Sequence, residues 1–162
     1  MMIKRMVCAL CAVMLSLSLC ACGEKTKSID MQALENSMVS ADKTLPEMKV
    51  SGSWEENSEK AFSYISDLEY NKIHGFFLAY AADGMAYEIA VVQLKDKSDA
   101  SAMADNSLRE HVQSRVQMYK TYEPEQVQRA ESAVVKNDGD CVLLIMSDAP
   151  QNAETAFKEF TK

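Results

Sequence analysis

The chain has 162 residues, with 24 Asp and Glu against 17 Lys and Arg and a net charge of −7. An acidic chain of this kind is a poor match for nucleic acid or for an anionic lipid surface, since both bind through basic patches. Two histidines and five cysteines leave little material for metal or thiol chemistry.

The first residues carry the sharpest signal. Lys4 and Arg5 precede an apolar run from Met6 to Leu19, broken only by Ser16 and Ser18. The run is shorter than the roughly 20 residues that cross a bilayer, and its layout is that of an export signal. Leu19-Cys20-Ala21-Cys22 looks like a lipobox. It has an apolar residue at −3, small residues at −2 and −1, and then the cysteine. In lipoprotein precursors that thiol receives a diacylglycerol and the chain is cut before it. The sequence therefore predicts a signal peptide over 1–21, lipidation of Cys22 and a polar tether over 22–28. The alternatives are an ordinary secreted protein cut near Ala21, or an uncleaved anchor. Two acyl chains give stable attachment where one is marginal.

Processing would leave 141 residues, which suits a single domain over 29–162. Lys4 and Arg5 would leave with the signal, taking the charge from −7 to −9. Cys141 would be the only cysteine not removed or lipidated, so no internal disulfide could form.

Four segments have helical period. Met31, Leu34, Met38 and Ala41 mark the first, with Asp30 as N-cap and Ile29 and Leu34 at hydrophobic-staple spacing. Pro46 and Gly52 then predict a loop from about 43 to 53. A second, weaker helix is predicted over 55–68, with Ser53 and Glu56 at capping-box spacing. The third and longest covers about 99–119, with Ala104, Leu108, Val112, Val116 and Tyr119 on one stripe. The last covers about 150–160. Ser147 or Asp148 could cap it, Pro150 suits its first turn, and Ala153, Ala156, Phe157 and Phe160 face inward.

Two hairpins lie between these helices. One joins 73–82 to 85–94 through Asp83-Gly84; the other joins 133–136 to 141–146 through Asn137-Asp138-Gly139-Asp140. Cys141 to Met146 is apolar on both faces and reads as a central strand. The expected fold is α+β: an antiparallel four-stranded sheet made of the two hairpins. The long helix and the C-terminal helix pack on one side of it, and N-terminal helices precede it.

Chemistry is hard to find. His74 and His111 have no partners at zinc-ligand spacing, and the Asn137–Asp140 turn lacks the ligand ladder of a calcium loop. The dispersed methionines read as core filling, and Cys141 reads as buried and inert. No nucleophile motif, phosphate loop or catalytic carboxylate pair stands out, so no catalytic residue, metal or cofactor is assigned beyond the lipid on Cys22. Trp54, alone among polar residues, is a candidate partner anchor or a lid on the core. Tyr122 and Glu123, in an aromatic-proline corner with Tyr119 and Pro124, are the other candidate contacts.

Three segments, with the lipobox, resemble a group of small Gram-positive bacterial lipoproteins that share a domain of unknown function. They are Tyr-Glu-Ile-Ala-Val-Val (87–92), Tyr-Glu-Pro-Glu-Gln (122–126) and Gly-Asp-Cys-Val-Leu-Leu-Ile-Met-Ser-Asp (139–148). The resemblance spans about 34–160. It implies fold and location, and brings no activity or catalytic residue. The expected function is a membrane-anchored extracytoplasmic binding or accessory module of the cell envelope. Its partners would be the membrane, through the lipid, and an envelope protein or ligand, with no nucleic acid. The alternatives are a small envelope-acting enzyme and a solute-binding lipoprotein of a transporter.

Overall fold

The structure, a computed structural model, describes residues 28–162. The predicted signal, Cys22 and nearly all of the tether lie outside the described residues. Among the described residues no helix is long and apolar enough to cross a membrane.

Helix α1 (Met31–Ala41) starts as its sequence predicts. The Asp30 carboxylate accepts from Ala33 N at 3.0 Å, and Ile29 and Leu34 join the same apolar cluster. Strand β1 (Met48–Gly52) follows, then the short α2 (Ser58–Phe62). A 3-10 turn (Tyr70–Lys72) leads into β2 (Ile73–Ala81) and β3 (Glu88–Leu94). A 3-10 turn (Lys97–Asp99), an α turn (Ala100–Ala102) and a π turn (Met103–Leu108) run without a break into α3 (Arg109–Tyr122). Another 3-10 turn (Pro124–Gln126) and α4 (Val127–Glu131) bring the chain to β4 (Val134–Asp138), β5 (Cys141–Met146) and α5 (Pro150–Phe160).

The sheet has five strands in the order β1-β2-β3-β5-β4, each antiparallel to its neighbours. Four strands are those of the two predicted hairpins. Their turns hold Gly84 and Gly139 at positive φ, +85° and +63°, where a β-carbon would strain the backbone. The fifth, β1, corrects the predicted loop. Its sequence, Met-Lys-Val-Ser-Gly, has one β-branched apolar residue and a weak alternation. The strand forms because β2 offers a partner edge, with Met48 opposite Ala81 and Gly52 opposite Phe77.

Helices cover both faces of the sheet, which corrects the one-sided arrangement. On one face α1 and α5 bury Leu34, Met38 and Phe157 against Phe77, Ile89, Val91 and Leu143. On the other, α2 and the long composite helix bury Phe62, Met103 and Leu108 against Phe76, Val92, Val142 and Leu144. Residues of one strand alternate between the two clusters, so both faces of the middle strands are apolar, and that pattern requires cover on each side. The long helix and the C-terminal helix therefore lie on opposite faces. A third, smaller cluster of Ala86, Val116, Tyr119, Ala130 and Met146 closes the Gly84 end of the sheet.

Three local expectations also change. Ser53 does not open a helix. Its hydroxyl accepts from Phe76 N at 2.7 Å and donates to Phe76 O at 3.2 Å, so it clasps the start of β2. α2 is accordingly short, and Asn57 at its N-cap position makes no side-chain capping bond. α5 likewise has no side-chain cap, because the Asp148 carboxylate is held elsewhere, and its Phe160 is 39% exposed.

Candidate functional site

The face that carries α3 is not filled all the way down. Beyond Phe62 and Leu78 a cleft of about 410 Å³ opens between α3, the end of α2 and the first two strands. Strand alternation places Glu88 on this face, two residues before Ala90 and opposite Tyr80 on β2. Glu88 thus stands where an apolar residue would continue the core, and it is 3% exposed.

A buried carboxylate needs partners, and α3 supplies them. His111 and Arg115 are one helical turn apart and reach the same carboxylate. His111 Nε2 lies 2.7 Å from Glu88 Oε1, and Arg115 Nε lies 3.7 Å from Glu88 Oε2. Arg115 also donates to the Tyr119 hydroxyl at 2.6 Å, and its guanidinium sits 5.0 Å over the Tyr119 ring. Tyr119 in turn donates to Gly84 O at 2.9 Å. Burial above all, with the charges of Glu88 and Asp83 adding to it against Arg115, pushes the Tyr119 hydroxyl up, so it stays a donor at neutral pH. Arg115 Nε is buried and makes no hydrogen bond of its own.

Around this charged floor the rim is aromatic and hydroxylic. Tyr64, Tyr80 and Met118 stand exposed at its mouth, and Ser51 and Ser114 line it. Among the described residues the side-chain hydroxyls of these two serines and two tyrosines have no hydrogen-bond partner. Aromatic rings beside convergent polar groups are what small-ligand sites are made of. The described residues include no cluster that could hold a metal ion.

The residues singled out from sequence sit elsewhere. Trp54 follows β1 and lays its ring over Gly52, so close that a β-carbon there would fall 2.3 Å from the indole. It is 40% exposed and acts as a lid over the β1 edge. Tyr122, 76% exposed, stands in the last turn of α3, the turn that Tyr119 ties to Gly84, and Glu123 is exposed beside it. Trp54 belongs to the other end of β2, where Ser53 holds Phe76, so the structure does not bring these residues together. None of the three lines the cleft.

The cleft escaped the sequence reading because its parts are far apart in the chain. His111 was visible, but its partner Glu88 lay inside an apolar strand. The one available signal was that acid, in Tyr-Glu-Ile-Ala-Val-Val, at a position where the alternation demands burial.

The segments that carried the family resemblance meet at a second cluster, next to the cleft. Tyr87 donates to Asp148 Oδ2 at 2.8 Å, Arg129 Nε donates to Asp148 Oδ1 at 2.7 Å, and the Arg129 guanidinium sits 4.0 Å over the Tyr87 ring. Arg129 also bonds Gln126 Oε1, which accepts from Ala86 N at 3.2 Å. The Arg129 hydrogen bonds, in the first place, hold the Asp148 carboxyl below its usual range. The Tyr-Glu-Pro-Glu-Gln corner therefore serves to deliver Gln126 to the backbone of the β2–β3 turn. Its charges satisfy one another, and the cluster reads as a clamp.

No curated protein matches the chain, and no solved structure does. A family model, Domain of unknown function (DUF4358), matches residues 48–147, which take in β1 to β5, the cleft with its Glu88 floor, and the second cluster except Asp148. That segment is more than half of the chain, and the chain belongs to this family.

Proposed function

We propose that this protein is a lipid-anchored extracytoplasmic module that binds a partner or ligand, with the cleft over Glu88 as its recognition seat. One observation carries the reading: a cavity of about 410 Å³ with two exposed tyrosines at its mouth and the Glu88–His111–Arg115 ionic cluster as its floor. Such a volume lies within the range of small-ligand sites, roughly 300–1,000 Å³. The anchor rests on the lipobox at Cys22.

The placement of the two ends supports a site turned away from the membrane. The chain leaves the tether at Ile29, whose N–H donates to Gln93 Oε1 at 2.9 Å on the α1 face. Glu88 is five residues away along β3 and on the opposite face. That separation is about 17 Å of strand. A domain tethered at the Gln93 end presents the cleft at its far end.

The test uses the full-length protein in its own membranes, with a photoreactive residue in place of Tyr64. A fatty-acid label should enter the protein and be lost in Cys22→Ala. Irradiation should give a discrete adduct that the same photoreactive residue in place of Phe160 does not give. Absence of the lipid label would remove the anchor, and absence of an adduct at position 64 would remove the cleft as the seat of binding.

A further inference from the structure

We propose that the cleft takes a neutral saccharide, a unit of one or two sugar rings. This rests on the reading of the cleft as a binding seat and names the class of its ligand.

Charge is the first argument. The floor pairs one buried anion, Glu88, with two basic groups, His111 at 2.7 Å and Arg115 at 3.7 Å. An anionic ligand would face Glu88, and a cationic one would face Arg115. Either would compete with contacts already formed, and stripping a buried carboxylate such as Glu88 of its partners is costly. The site favours a ligand without net charge.

Polarity is the second. Ser51, Tyr64, Tyr80 and Ser114 bring four hydroxyls to one cleft, and among the described residues none of these is hydrogen bonded. An apolar ligand would cover them and leave them unsatisfied, which opposes binding. A ligand rich in hydroxyls satisfies them in either sense, since each hydroxyl both donates and accepts.

Shape is the third. Tyr64 and Tyr80, 66% and 37% exposed, bring two aromatic rings to the mouth. The negative face of an aromatic ring attracts the weakly positive hydrogens of C–H groups. A pyranose carries hydroxyls around its edge and C–H groups on its faces, so it answers both features of the cleft at once. An extended peptide would instead need a strand edge to pair with, and only Ser51 of the edge strand β1 lines the cleft.

The experiment is a titration of the full-length lipidated protein in a detergent without a sugar headgroup. Tyrosine and histidine resonances are followed by NMR. The probes are the dimer and trimer of N-acetylglucosamine, a glucose trimer, inorganic phosphate and tetra-alanine. At least one saccharide should shift the signals of Tyr64, Tyr80 and His111 saturably, with a Kd of about 1 mM or tighter. Tyr64→Ala and Ser114→Ala, both at solvent-facing positions that leave the core intact, should each weaken that binding by about ten-fold. Phe160→Ala should leave it unchanged.

The proposal is overturned if no saccharide moves these signals, or if Tyr64→Ala binds the saccharide as the natural chain does. Phosphate or tetra-alanine moving them in place of sugar would discard the saccharide and keep the cleft as a binding seat. Loss of the photo-adduct at position 64 as well would discard both.

Discussion

Tyr119 donates to the carbonyl of Gly84 at 2.9 Å while its oxygen accepts from Arg115 at 2.6 Å. One fully buried side chain thus ties the last turn of α3 to the β2–β3 hairpin and to the floor of the cleft. Tyr119→Phe deletes one oxygen and leaves both partners short. The expected loss is about 1–3 kcal/mol of unfolding free energy. Urea denaturation measures it, and a midpoint equal to that of the natural chain would contradict the role given to this hydroxyl.

The Glu88 cluster should behave as a unit. Glu88→Ala leaves His111 and Arg115 facing an apolar floor and is expected to cost about 3–5 kcal/mol. Replacing all three together by apolar residues of similar volume should cost less than that single change, because no unpaired charge remains. Denaturant unfolding of the two variants decides the matter. A triple variant less stable than the single one would mean that the ion pairs themselves stabilise the fold.

Trp54 is the only tryptophan in the chain, so its fluorescence reports a single place. Gly52→Ala would put a methyl group 2.3 Å from the indole Cζ3 atom and displace the ring from the strand. The expected result is red-shifted emission as the indole moves into water. The stability cost of Gly52→Ala should shrink when Trp54→Ala is already present, since the clash is then gone. Unchanged emission would show that the ring does not rest on Gly52.

Acid should loosen two carboxylates near the C-terminus, Asp148 just before α5 and Glu154 in its middle. Hydrogen bonds from Arg129 keep Asp148 below its ordinary value of 3.8, and those from Lys136, then Lys158, keep Glu154 below 4.5. The folded state therefore binds these protons less readily than the unfolded one. Their contribution is present above the ordinary carboxylate range and is lost as the pH falls through the lowered values. Thermal unfolding should show a steeper acid decline in the natural chain than in Asp148→Asn/Glu154→Gln. Parallel curves would remove both groups from the acid response.

The parts of the fold that were legible in sequence are those fixed by local rules. Asp30 announces α1 by its cap, and Asp83-Gly84 announces the first hairpin through the need for positive φ. The unbroken apolar run of Cys141 to Met146 marks a strand covered on both faces, although the two-sided cover itself went unread. β1 was missed because its pairing energy comes from β2, about thirty residues later, and its own residues barely alternate. The cleft was missed for a related reason. Its charged floor joins Glu88 to His111 and Arg115 across the sheet–helix interface, and only the register of β3 under α3 brings them within reach. Trp54 and Tyr122 drew notice because they are aromatic residues in polar surroundings, which is a statement about exposure and says little about convergence.

Cys141 lies 1% exposed under α1 and α5, and burial, followed by the charge of Asp140, pushes its thiol up to about 12. It is the one cysteine among the described residues, and at neutral pH it carries almost no thiolate. The folded domain is therefore chemically blank toward maleimides and iodoacetamides. A cysteine introduced anywhere on its surface would take a fluorophore or spin label alone. Pairs of such labels, one near Ser28 and one on the rim at Ser114, would turn the separation between the start of α1 and the cleft into a distance that can be read directly.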